Sequence, residues 1–321
     1  MKTNDATFEL FLNYACQAKC DFCYNPPITE ELLRRELPLS RAAEALYAAA
    51  RSGAKRLNLH GGEVTLREDL PKIVRLARKV GFDSITLVTN GVRLGEASYA
   101  RALVGAGITH VRMSLHAPDA VVHDAIVRVP GAFVRARRGI GHLRKLGVPV
   151  GLNYVLIRPN LALLPAFVGR FLVDEGGDDL IAYFPHEKGM MALHATAIAP
   201  TYDEARPHLL RAVELLEAAG KPSAMMIANV PPCAAPELAD LLIDWQRGTD
   251  GGGSAMIGPE GKRTDLDRMK DKQRWEVPAC RACALKERCR GVEPEYTRRF
   301  GDQEFRALAA TPPALELAGT R

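Results

Sequence analysis

The chain has 321 residues, 47% of them hydrophobic and 25% charged, the balance of a globular protein with a sizeable core rather than of a disordered or fibrous chain. Forty-three Lys and Arg against 38 Asp and Glu leave a net charge of +5 dispersed along the sequence; this reads as a solvated surface and argues against a nucleic-acid partner, which would need clustered cations. No apolar run reaches the roughly 20 residues that cross a bilayer, and the N-terminus lacks a signal-peptide core, so a cytoplasmic protein with no membrane partner is expected.

In chain order, a strand followed by a helix is predicted six times. The first strand is Phe8–Asn13, with a helix from an N-cap at Ser40 to a stop at Gly53. Next come Arg56–His60 with a helix over Glu68–Val80, Ser84–Thr89 with one over Glu96–Val104, and His110–Leu115 with a return that breaks at Pro130 and resumes over Ala132–Leu146. The last two strands are Val150–Ile157, with a helix over Leu161–Asp174, and Leu180–Phe184, with one over Tyr202–Ala219. Six such units predict an α/β fold, a partial (β/α)6 TIM-like barrel whose chemistry lies at the carboxyl ends of its strands. Past residue 220 the pattern is expected to stop. The glycines at 251–253 make 247–262 read as a flexible loop, and a small cysteine-rich extension ends the chain. The expected division is 1–219 for the barrel and 220–321 for the extension.

Seven cysteines in a reducing compartment read as metal ligands or catalytic groups rather than disulfides. Three of them, Cys16, Cys20 and Cys23, share the loop after the first strand, and four, Cys233, Cys280, Cys283 and Cys289, lie near the end. The first loop offers three thiolates to one iron–sulfur cube and leaves the fourth iron open to a small ligand. Tetrahedral zinc prefers paired ligands, which this loop does not supply.

The Cys-x3-Cys-x2-Cys spacing, with Phe22 before the last cysteine, resembles the radical S-adenosylmethionine (SAM) signature. Gly61-Gly62-Glu63 follows the second strand, where the family binds the amino group of SAM; a carboxylate balances an ammonium there, and glycines allow close approach. Ser114, Arg128 and Asn153 resemble family residues near SAM, its carboxylate and its ribose; on bland readings they are two satisfied strand polars and a surface ion pair. The resemblance covers about residues 6–205. It implies that a reduced 4Fe-4S cluster splits SAM to a 5′-deoxyadenosyl radical that abstracts hydrogen from an unactivated C–H, with flavodoxin or ferredoxin as electron donor. Cys280-x2-Cys283-x5-Cys289 resembles the auxiliary-cluster segment of SPASM or Twitch extensions. With Cys233 it gives four ligands and a second 4Fe-4S cluster; structural zinc, or a free Cys233 acting as a hydrogen donor, are the alternatives.

Fifteen residues precede Cys16, too few for a fused leader-binding domain. The expected substrate is therefore a small molecule, such as a nucleoside or sugar intermediate, with a ribosomal precursor peptide as the alternative. A non-enzymatic iron–sulfur or zinc-binding regulator is the reading outside catalysis. His116, His186 and Glu187 stand at the predicted mouth as substrate contacts, and Met190 and Met191 are expected to pack.

Overall fold

A computed structural model describes residues 7–243, 254–272, 274–287, 289 and 291–310. Seven parallel strands follow one another across one sheet in sequence order: β1 (Thr7–Phe11), β2 (Arg56–His60), β3 (Ser84–Thr89), β4 (His110–Ser114), β5 (Val150–Val155), β6 (Asp179–Tyr183) and β7 (Met225–Ala228). Two short strands extend the sheet beyond β1. β8 (Ala255–Ile257) pairs parallel with β1, and β9 (Arg263–Asp265) pairs antiparallel with β8. The sheet is open, with β7 and β9 at its edges. The expected partial barrel therefore forms, but the strand pattern does not stop at residue 220, and the expected loop at 247–262 contains β8. Residues 244–253, including the glycines at 251–253, lie outside the described residues.

Strand alternation separates two faces. Phe8, Leu10, Leu57, Leu59, Ile85, Leu87, Val111, Met113, Leu152 and Leu180 point outward into the main core. There they meet the apolar stripes of α2 (Leu39–Arg51: Ala42, Leu46, Ala49), α3 (Leu70–Lys79: Ile73, Val74, Ala77) and α6 (Ala132–Lys145: Phe133, Ala136, Ile140). The remaining helices are α1 (Glu30–Arg34), α4 (Ala97–Ala106), α5 (Ala120–Val127), α7 (Leu164–Val168), α8 (Met190–Ile198), α9 (Tyr202–Ala218), α10 (Leu266–Lys272) and α11 (Pro294–Phe300). Helix α9 starts in a full capping box between Thr201 and Glu204. Helix α2 starts one residue before Ser40; Pro38 holds its N-cap position and makes no side-chain cap.

The concave face is polar. Asn58 on β2 donates to Glu9 on β1 at 2.8 Å. Arg112 on β4 donates to Asn153 on β5 at 3.0 Å and pairs with Asp179 on β6. Gly151 makes room for that pair, because a Cβ there would lie 2.6 Å from the Arg112 guanidinium and 2.8 Å from the Asp179 carboxylate. Among the described residues no helix is long and apolar enough to cross a membrane.

Candidate active site

The cysteine loop leaves β1 and is stitched at once to the turn after β2. Gly62 N–H donates to Asn13 O at 2.6 Å, and Glu63 N–H to Ala15 O at 2.7 Å. Buried Asn13 returns its side-chain amide to Ala15 O and Glu63 O at 3.2 and 3.1 Å. The two glycines serve this contact. A Cβ on Gly61 would lie 2.6 Å from Asn13 O, and one on Gly62 would lie 2.3 Å from Tyr14 O. The backbone they admit is thus the chain's own cysteine loop.

Glu63 is 1% exposed and turned inward. One carboxylate oxygen accepts from Thr65 N–H (3.0 Å), Thr65 hydroxyl (2.6 Å) and Thr89 hydroxyl (2.7 Å), and the other from Asn90 N–H at 2.8 Å. Three bonds crowd the first oxygen, so only the second keeps a lone pair for a further donor. Asn90, at the carboxyl end of β3, also accepts from Gln17 at 3.1 Å and points its amide at Cys16 Sγ, 4.0 Å away.

Cys16 and Cys20 pack against Ala18, Val92, Val127 and Ala132. Burial pushes the Cys16 thiol up to about 12; Glu63 and Cys23 add to this, while the Ala18 N–H, 3.4 Å from its sulfur, opposes it. Burial likewise raises Cys20, with Cys23 and Cys16 adding their repulsion. The three sulfurs therefore sit close enough to repel one another as thiolates in an apolar setting. A positively charged iron centre relieves that repulsion, so the donor set fits a cluster with three cysteine ligands. Among the described residues no three His, Cys, Asp or Glu side chains crowd around a single ion; the ligands of a cube each bind a different iron and stand further apart.

The other sequence-derived residues separate into two groups. Phe22 meets His116 edge-on at 4.6 Å, over the end of β4. Ser114 and Asn153 are register partners on the concave face, with Asn153 already engaged by Arg112. Arg128, left-handed at φ 56°, pairs at 2.5 Å with Asp21 inside the cysteine motif. His116 is buried and engaged within the fold: its Nδ1 accepts from Val155 N–H at 3.2 Å, it stacks on His123, and burial lowers its pKa well below the usual imidazole value. His186 and Glu187 pair with Glu293 and Arg299 of the C-terminal segment.

Cys233 lies five residues past the end of β7. Cys280, Cys283 and Cys289 lie in a loop whose ends are joined by Trp275 and Val292, paired at 2.8 and 2.9 Å. The structure brings all four together around one cavity, which Leu285 and Phe305 also line. Burial pushes Cys233 up to about 12, and Cys289, Cys280 and Cys283 raise it further.

Sequence reasoning missed Asn13, Asp21, Thr89 and Asn90. The signal available for the last two was a polar Thr-Asn-Gly turn at the carboxyl end of a predicted strand.

Residues 11–161 match the Radical SAM superfamily. A protein of Xanthomonas euvesicatoria named PqqA peptide cyclase is 30% identical over 210 residues, 65% of this chain and 54% of that one. The protein of the same name from Rhodopseudomonas palustris is 33% identical over 159 residues, 50% of this chain and 41% of that one. The chain thus spans about half the length of the curated relatives it matches. In fold it resembles Streptococcus suis SuiB bound to precursor peptide SuiA, with TM-score 0.70, 14% identity, and coverage of 96% of this chain and 76% of that one. It also resembles anSMEcpe with bound AdoMet, with TM-score 0.66, 13% identity, and 98% and 95% coverage. These likenesses overturn the expected small-molecule substrate and partner. The short stretch before Cys16 carried that expectation, and chain length there is no measure of what the barrel mouth admits. The superfamily match implies its cofactors, a 4Fe-4S cluster and SAM. Over residues 11–161 the chain matches the radical SAM superfamily of enzymes.

Proposed function

We propose that this enzyme is a maturase that modifies a precursor peptide. In this reading Cys16, Cys20 and Cys23 hold the SAM-cleaving cluster. Cys233, Cys280, Cys283 and Cys289 hold a second 4Fe-4S cluster in a Twitch-like C-terminal extension, from a stretch that also lends β7 and β8 to the barrel sheet. The observation that carries the peptide reading is the 30% identity over 210 residues to a peptide cyclase. The four C-terminal cysteines around one cavity support the second cluster and the ligand role of Cys233.

When bound, the reduced cluster and SAM supply a carbon radical that takes a hydrogen atom from an unactivated substrate C–H. The chain's own residues position and shield. Asn13, Gly61 and Gly62 fix the loop that carries the thiolates. Ala18, Val92, Val127 and Ala132 keep water from Cys16 and Cys20. Phe22 would cover the adenosyl side; Ser114 and Asn153 would offer a hydroxyl and an amide to SAM from the concave face. Glu63 would reach the SAM ammonium only through its less occupied oxygen, and Arg128 would meet the SAM carboxylate on leaving Asp21. Seven free cysteines suit a reducing cytoplasm, where a flavodoxin or ferredoxin supplies the electron.

The test uses anaerobically reconstituted protein with reductant and SAM. It should form 5′-deoxyadenosine, and Cys20→Ala should not. A short peptide encoded beside the gene should raise the yield and lose two hydrogens in mass as one bond forms, one taken as an atom by the radical and the other leaving as a proton while its electron passes to the second cluster. A peptide that returns unchanged while a small metabolite is consumed overturns the peptide reading and spares the superfamily chemistry.

A further inference from the structure

Helix α8 touches both the N-terminal cysteine loop and the helix that follows the C-terminal cysteines. It begins at Gly189, whose φ of 60° and ψ of −132° favour glycine. A Cβ there would lie 2.2 Å from Asn25 O and 2.3 Å from Tyr24 O, so this glycine lets the helix start directly on the cysteine loop. Met190 N–H donates to Asn25 O and Met191 N–H to Cys23 O, both at 3.0 Å. Phe22 packs against buried Met191, Ala195 and Ala199. His194 lies 3.4 Å from Asp21. Four residues of the loop, Asp21, Phe22, Cys23 and Asn25, are thereby held by one helix.

The same helix is fastened from the C-terminal side. Phe300 enters the same apolar cluster as Phe22. Arg299 donates to Thr196 Oγ1 on α8 at 2.8 Å and to buried Glu187, just before it, at 2.7 Å. His186 pairs with Glu293, at the N-cap of α11. Helix α11 begins five residues after Cys289, so these contacts belong to the segment that carries the C-terminal cysteines.

We propose that α8 is a strap between the two cysteine sites and that Arg299 is a positioning residue for the Cys16–Cys23 loop. Arg299 and Phe300 hold the strap, and the strap holds the Cys23 and Asn25 carbonyls, so the C-terminal segment fixes the geometry in which the N-terminal thiolates are presented. The spectroscopic part of the test rests on the proposed cluster ligands; the exchange part does not.

Hydrogen exchange read by mass spectrometry should compare reconstituted wild type, Arg299→Ala and Arg299→Lys. In Arg299→Ala, amides in 189–199 and in 21–25 should exchange about tenfold faster, while those of β3 and β4 keep their wild-type rates. The SAM-dependent change in the paramagnetic spectrum of the reduced protein should broaden in Arg299→Ala and recover in Arg299→Lys, which keeps the charge on Glu187. Faster exchange confined to 189–199, or a wild-type SAM-dependent spectrum in Arg299→Ala, overturns the proposal. Should β3 and β4 also accelerate, Thr196→Val carries the test, since it removes one acceptor at nearly constant volume: it must speed 21–25 without β3 and β4, or the strap is refuted. A wild-type protein that binds no iron refutes the ligand reading instead, and exchange on the metal-free chain still decides the strap.

Discussion

The two cysteine sites are built in opposite ways. The N-terminal one takes three thiols from eight consecutive residues and borrows its rigidity from strand ends: Gly61 and Gly62 press on one side of the loop and Gly189 on the other. The C-terminal one draws Cys233 from just past the end of β7 and the remaining three from a loop 47 residues further on, tied at its ends by the Trp275–Val292 bridge. A site held by the sheet is ordered by folding, whereas a site spread over distant short segments draws more of its order from whatever binds its thiolates.

The sharpest way to break this comparison is Gly62→Ala. The added methyl would meet the Tyr14 and Ala15 carbonyls at 2.3 and 2.5 Å, and backbone has to yield. Iron should fall by about four per chain on the proposed two-cluster reading, and 5′-deoxyadenosine formation should drop by about a hundredfold, the usual result of misplacing a reacting group by an ångström. Full iron content would show that the loop tolerates the displacement.

Cys233→Ala is the mirror experiment. It should also remove about four iron per chain, but from the other site, leaving 5′-deoxyadenosine formation in place. An unchanged iron count and auxiliary signal would mean that Cys233 is no ligand.

Glu63→Ala probes the sheet-borne rigidity itself. It strands two threonine hydroxyls and the Asn90 and Thr65 amides, and should cost about 1–3 kcal/mol of stability through unsatisfied buried donors. Thermal unfolding measures this directly. Loss of SAM affinity with an unchanged melting temperature would instead assign the carboxylate to the ligand alone.

The smallest effect is the pH dependence of the barrel side. Burial depresses His123 to about 4, with Asp124 opposing, and depresses His116 further below 6.5, with His123 adding. Unfolded histidine takes up a proton near pH 6.5 and these folded ones do not, so their contribution is present above about 6.5 and fades as pH falls toward the folded values. The slope is at most about 1.4 kcal/mol per pH unit for each histidine. At Glu293, burial acts upward, but His186, Arg274 and Lys188 outweigh it and hold the carboxylate below its usual range. Its contribution is lost only below about pH 4.5. Exchange measured at pH 7, 5.5 and 4.5 should therefore loosen β4 and α5 before α11; the reverse order would contradict this assignment.

What the sequence made legible follows the same division. Six strand–helix units and the Cys16–Cys23 motif are contiguous signals, and periodicity and spacing find such signals. Strand β7 is four residues, Met-Met-Ile-Ala, between a Gly-Lys-Pro-Ser turn and Asn-Val-Pro-Pro, too short for a period to register. Strand β8 is three half-buried residues that exist only because β1 offers an edge. Glu63 was placed correctly in the chain, but its four internal donors come from Thr65, Thr89 and Asn90, and no local pattern reports a partner 26 residues away. Ser40 failed as a cap because Pro38 starts the helix earlier, with its φ of −57° already set.

The polar cross-strand pairs on the concave face carry one more consequence. Arg112 bridges three strands to Asn153 and Asp179, and Glu9 with Asn58 joins β1 to β2. These pairs sit at mid-strand, with Asp179 at the start of β6, so five of the seven parallel strands are tied side chain to side chain on the face that looks away from the helices. Removing the Arg112 guanidinium would leave the Asn153 amide oxygen and the Asp179 carboxylate without their cross-strand partner, so one side chain holds the register of three strands.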